Sequence, residues 1–136
     1  MSANDYQVGG THYKSAYGHW DWVTNIGMHY LAGCCTKYII RWRNKDGLKD
    51  IEKAIHYSNK LIEVSAIIAP QRVGLNHNWI SVENRRFFDA NNMSGLEREI
   101  CTFLANWTSR QELIEAGFIL STLYNENSPL TIPEGR

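Results

Sequence analysis

The feature that most limits what this chain can become is the run over residues 30–61, YLAGCCTKYIIRWRNKDGLKDIEKAIHYSNKL, where two stretches of helical periodicity flank one tight, charged turn. Leu31, Cys35, Tyr38 and Trp42 recur at spacings of four, three and four, so they fall on one stripe of a helix. Tyr30, Lys37 and Arg41 lie on one flank of that stripe, which sets two cations one turn apart at the edge of a buried face. Such a pair can grip a phosphate or a carboxylate. The turn is Asn44-Lys45-Asp46-Gly47. Gly47 tolerates the backbone angles of a reversal, and Asp46 or Asn44 is placed to accept from the free amides that open the next helix. In that helix Ile51, Ala54, Ile55, Ser58, Leu61 and Ile62 share a face. Lys49, Lys53, His56 and Lys60 line the opposite one, with Tyr57 between them.

A chain of 136 residues, 43% of them hydrophobic, can bury one core or two small halves sharing one. Its 14 Lys and Arg balance 14 Asp and Glu, so any basic site is local, and neither nucleic acid nor an anionic membrane is an expected partner. No stretch approaches the roughly 20 apolar residues of a membrane span, and the polar start MSANDYQVGG lacks the apolar centre of a secretory signal. A cytoplasmic location is expected. Cys34, Cys35 and Cys101 are read as reduced and mostly buried, because a metal site wants paired spacing with nearby histidines. No metal site is expected.

Along the chain, residues 1–16 form a polar arm carrying Gly9-Gly10 and His12-Tyr13-Lys14. The arm is read either as a flexible lead-in or as a backbone approach to a ligand. A first helical unit spans 17–69, its last helix running to Ala69 because Pro70 stops it. A linker follows at 70–80, then a second unit at 81–126 and a tail at 127–136. The second unit reads as a repeat of the first, with chance periodicity between amphipathic helices as the alternative: Trp22 aligns with Phe87, Met28 with Met93, Leu31 with Leu96, Tyr38 with Phe103 and Trp42 with Trp107. After a three-residue deletion, Asp50 meets Glu112, Ala54 meets Ala116 and Leu61 meets Leu123. The cations do not follow: Lys37 becomes Thr102, Arg41 becomes Asn106, Lys53 becomes Glu115 and His56 becomes Phe118. Either they serve a task that one half kept, or surface charge has drifted. The expected fold is an all-α helical bundle of two pseudo-repeated units, each a short helix plus a helical hairpin. Ile40, Ile67 and Ile68 lie off the main stripes and point to a homo-oligomer.

The runs YQVGG-THYK and GCCTKYIIRWRNKDGLKDIEKAIHYSNKLIE resemble a family of small tailed-phage proteins known as a domain of unknown function. The family shows a Gly-Gly-x-His-Tyr-Lys entry, a Gly-Asn-x-x-Lys-Tyr-x-x-Arg core and an Asp-Leu-x-Lys-Ala-x-x-Tyr second helix. Here these correspond to Gly9, Gly10, His12, Tyr13 and Lys14; Gly33, Lys37, Tyr38 and Arg41; and Asp50, Lys53, Ala54 and Tyr57, with Cys34 where the family has Asn. The match covers roughly the first half of the chain. The resemblance implies a nucleotide-kinase-like protein acting on deoxynucleoside monophosphates in the cytoplasm of an infected bacterium.

The residues themselves lack the Gly-rich cradle ending in Gly-Lys-Ser/Thr, and Asp46, Asp50, Glu52 and Glu63 are not read as a clustered acidic pair. No cofactor is firmly implied, magnesium is doubtful, and no catalytic residue is assigned. What remains is a phosphate-binding set of His12, Tyr13, Lys14, Lys37, Arg41, Arg43, Lys45, Lys53, His56 and Tyr57. Tyr13, Trp20, Trp42 or Tyr57 is available to stack on a base. Against this, Tyr38 and Trp42 also read as core, and Lys49, Lys53 and Lys60 as a solvated face. Three functions are carried forward: nucleotide binding with phosphoryl transfer, a non-catalytic sponge for a nucleotide immune signal, and a structural or host-protein-binding module.

Overall fold

A computed structural model of the chain describes residues 15–71 and 76–129. These form an all-α fold, with six helices and no strand among the described residues: α1 (His19–Ile26), α2 (Tyr30–Arg41), α3 (Leu48–Val64), α4 (Asn76–Ala90), α5 (Gly95–Asn106) and α6 (Arg110–Asn127). α2 and α3 pack together as one hairpin and α5 and α6 as another. α3 lies on α6, α2 on α5 and α1 on α4.

Local chemistry sets the ends. α1 closes at Gly27, whose φ of 66° is open to glycine, with Met28 N–H donating to the Val23 carbonyl at 3.0 Å. α4 closes the same way at Asn92, φ 51°, with Met93 N–H donating to the Phe88 carbonyl at 3.2 Å. Asparagine is among the few other residues that adopt this conformation readily. α5 opens on a capping box between Ser94 and Glu97, and α6 on the Ser109 hydroxyl, which accepts from Glu112 N.

One continuous core runs through all six helices. Trp22 and Phe87, both fully buried, stack with centroids 4.2 Å apart and ring planes 3° from parallel, joining α1 to α4. The register that aligned the two halves in sequence falls on helix bounds. α5 starts and ends 65 positions after α2, and α6 starts 62 positions after α3.

Several expectations need correction. The buried stripe of α2 is Ala32, Cys35, Thr36 and Ile39, while Leu31, Tyr38 and Trp42 are half-buried beside it. Small residues face inward because α2 sits between α3 and α5, and the aromatic rings are displaced to its edges. α3 ends at Val64, short of Ala69. The Ser65 hydroxyl donates to the Ile62 carbonyl at 2.8 Å, and Ile67 N–H donates to Val64 at 2.9 Å, a tighter turn than the helix. α4 begins at Asn76, inside the expected 70–80 linker. Gln71, in the same stretch, binds the Ile26 and Gly27 carbonyls, His29 N and the Trp107 carbonyl. Cys35 and Cys101 are buried and free, but Cys34 is only half-buried. Burial pushes the Cys35 and Cys101 thiols well up.

Candidate functional site

The outer face of the α2–α3 hairpin carries a groove of about 550 Å³ lined by Tyr38, Lys49, Glu52, Lys53, His56 and Tyr57. α2 supplies Tyr38 and α3 the rest at positions 49, 52, 53, 56 and 57, the spacing of one helix face. The Tyr38 and Tyr57 rings stack at 5.9 Å with planes 12° apart, forming an aromatic shelf between the helices. His56 meets Tyr57 edge-on at 6.2 Å. Cys34 continues the shelf toward Tyr30. It raises the Tyr30 phenol pKa chiefly by hydrogen bonding and that of Tyr57 chiefly by charge interaction.

Three cations surround the Tyr38 ring: Lys37 Nζ at 5.7 Å, Arg41 Cζ at 5.1 Å and Lys53 Nζ at 5.3 Å from its centroid. Each favours the ring's negative face. Lys37 and Arg41 thus gather at one edge, as the sequence spacing implied, but Arg41 is already paired. Its Nε donates to Asp50 Oδ2 at 3.2 Å and its Nη2 lies 3.4 Å from Asp46 Oδ2. Lys53 Nζ reaches the same carboxylates at 3.9 and 4.0 Å. Asp46 and Asp50, expected not to cluster, therefore converge at the positive N-terminal end of α3, where carboxylates are favoured. The capping role also reverses. Instead of Asp46 or Asn44 serving α3, the Asp50 carboxylate accepts from Asp46 N at 3.1 Å, and the N-cap is Gly47 with no side-chain cap.

Of the ten expected ligand residues, the seven among the described residues are not all brought together. Lys53, His56 and Tyr57 line the groove, while Lys37 and Arg41 come near the Tyr38 ring without lining it. Arg43 lies elsewhere: its guanidinium pairs with buried Glu97 at 3.2 Å and covers Trp42 at 5.5 Å, in a separate depression of about 500 Å³ with Ser94, Leu96 and Glu99. Trp42 is fixed there by its indole N–H donating to Glu97 at 2.7 Å, so it does not join the groove. Lys45 is exposed in the turn. His12, Tyr13 and Lys14, with Gly9 and Gly10, lie outside the described residues. Trp20 is 55% exposed on α1.

Asp50, fully buried, was missed as a partner of Arg41, because its role depends on how the turn folds back across nine residues of sequence. Tyr38 was legible as part of the α2 stripe but not as the residue that three cations approach. Glu52, at the groove's rim, accepts from the Tyr124 hydroxyl at 3.1 Å. Among the described residues no group of three or more His, Cys, Asp or Glu stands ready to hold a metal, and no helix is long and apolar enough to cross a membrane.

Comparison with family models, curated proteins and solved structures gives no match.

Proposed function

We propose that the chain is a nucleotide-binding protein whose ligand lies in the α2–α3 groove, its base on the Tyr38–Tyr57 shelf and its phosphate among Lys37, Lys53 and His56. The observation that carries this reading is the Tyr38–Tyr57 stack in one open groove lined by Lys53 and His56, with Lys37 also close to the Tyr38 ring. A planar π system and an anion are then recognised within one side chain's length of each other. The resemblance of the first half to small phage proteins supports the same ligand class. By that resemblance the protein works in the cytoplasm of an infected bacterium and transfers phosphate to a deoxynucleoside monophosphate.

A second reading, capture of a nucleotide signal without turnover, has its own support. Asp46 and Asp50 are each engaged by cations and Glu52 accepts from Tyr124, so the carboxylates nearest the groove already have partners.

Calorimetry of the full chain with nucleoside mono- and triphosphates and cyclic nucleotides tests binding, and diphosphate formation separates the two readings. A nucleotide should bind, and Tyr57→Ala with Lys53→Ala should weaken it at least about tenfold, as loss of one stacking partner and one charge contact would do. Silence with every nucleotide overturns the reading. A concentration series in the same experiment reads self-association, the partner expected from Ile40, Ile67 and Ile68, of which Ile67 is 83% exposed while Ile40 and Ile68 pack against the core.

A further inference from the structure

Asp46 is an unusual member of the charged cluster. Its side chain is 46% exposed, yet Oδ2 lies 3.4 Å from Arg41 Nη2 and 3.9 Å from Lys53 Nζ. Those two cations stand at 5.1 and 5.3 Å from the Tyr38 ring centroid. One carboxylate oxygen between a guanidinium and an ammonium, beside an aromatic shelf, is the arrangement that an anionic ligand group would itself adopt.

Both separations are longer than the roughly 2.7–2.9 Å of a tight charge-assisted bond, so the Asp46 carboxylate is held loosely. Nor does the turn depend on it. Asp46 N–H donates to Asp50 Oδ2 at 3.1 Å, Gly47 N–H to the Trp42 carbonyl at 2.9 Å and Asn44 N–H to the Arg41 carbonyl at 3.0 Å. Arg41 keeps buried Asp50 at 3.2 Å whatever Asp46 does.

We propose that Asp46 is an internal stand-in for the ligand's anionic group, occupying the Arg41–Lys53 position in the free protein and leaving it when a phosphate enters. This rests on the groove being the binding site. Among the described residues, Arg41 and Lys53 face the carboxylates of Asp46 and Asp50. With Asp46 displaced, the incoming anion takes its place beside Arg41 and Lys53. The contact therefore sets a threshold: a multiply charged anion displaces Asp46, whereas a singly charged one gains little over the carboxylate it replaces.

The test is calorimetric titration of the full chain with inorganic pyrophosphate and with acetate, on wild type, Asp46→Asn and Asp89→Asn. The last removes an equal charge from a site paired with Arg98 on the other half of the molecule. Asp46→Asn should bind pyrophosphate up to about fivefold more tightly, the size of one exposed ion pair, and narrow its preference over acetate. Asp89→Asn should match wild type. Circular dichroism of each variant confirms the fold. Equal affinity of Asp46→Asn and wild type, or equal tightening by Asp89→Asn, overturns the inference and leaves the groove reading standing. Failure of both wild type and Asp46→Asn to bind pyrophosphate overturns the inference, and only silence with every nucleotide as well overturns the groove reading.

Discussion

His19 shows how one side chain ties stability to pH. Its ring lies against Trp22 and Phe87 at centroid distances of 6.0 and 6.2 Å, and its Nε2 sits 2.8 Å from Thr36 Oγ1. The Thr36 hydroxyl is within reach of the Ala32 and Gly33 carbonyls at 3.0 and 3.1 Å, so its oxygen remains to accept a proton from the imidazole. Burial first, and the charge of Lys37 second, lower the His19 pKa from 6.5 to about 4. The folded chain thus binds this proton less readily than the unfolded one. The His19 contribution is intact above about pH 6.5, drains as pH falls, and stops changing below about pH 4. Urea unfolding at pH 7 and pH 4 should show wild type losing on the order of 3 kcal/mol more than His19→Gln. Equal losses would mean that His19 is protonated without strain in the folded state.

At the scale of elements, α1 and α4 stop by the same device with different residues. Gly27 and Asn92 both take positive φ, at 66° and 51°, and each precedes a methionine whose N–H reaches back five residues. Nothing lies within 4 Å of a Cβ added at Gly27, so Gly27→Ala tests backbone strain alone. It should cost about 1–2 kcal/mol in chemical denaturation, whereas Asn92→Gly should be neutral or slightly stabilising. A cost of Gly27→Ala near zero would show that the α1 end relaxes into another turn.

These ends also mark what the sequence could and could not reveal. Periodicity disclosed both hairpins, and the buried face of α3 came out nearly complete, because Ile51, Ala54, Ser58 and Leu61 all turn inward. The α2 face is rotated from the expected stripe: Cys35 faces inward as expected, but with Ala32, Thr36 and Ile39 in place of Leu31, Tyr38 and Trp42. A small or hydroxyl-bearing residue is core only when a neighbouring helix comes close, and one helix's pattern carries no such information. The cations near Tyr38 were legible from the spacing of Lys37 and Arg41. The pairing of Arg41 was not, because Asp50 reaches it only after the turn has folded.

For the whole molecule, the question is whether the two hairpins are separable. Four links argue that they are not. Trp22 stacks fully buried on Phe87 and donates its indole N–H to Asn84 at 3.0 Å. Trp42 at the end of α2 donates to Glu97 in α5, and Gln71 joins the α1–α2 corner to the Trp107 carbonyl at the end of α5. α3 and α6 share the Ala54, Leu61, Ala116 and Leu123 core, so neither hairpin can close its apolar face alone. The groove is borne by one half, yet the shape of that half depends on the other. Phe87→Ala would remove the ring that Trp22 stacks on and cost about 3–5 kcal/mol. Because the core is continuous, that loss should lower hydrogen-exchange protection in α2–α3 and in α5–α6 by the same free energy, through one cooperative opening. Protection lost only in α4 and α5, with α2 and α3 unchanged, would instead show that the half carrying Tyr38, Lys53 and Tyr57 folds by itself.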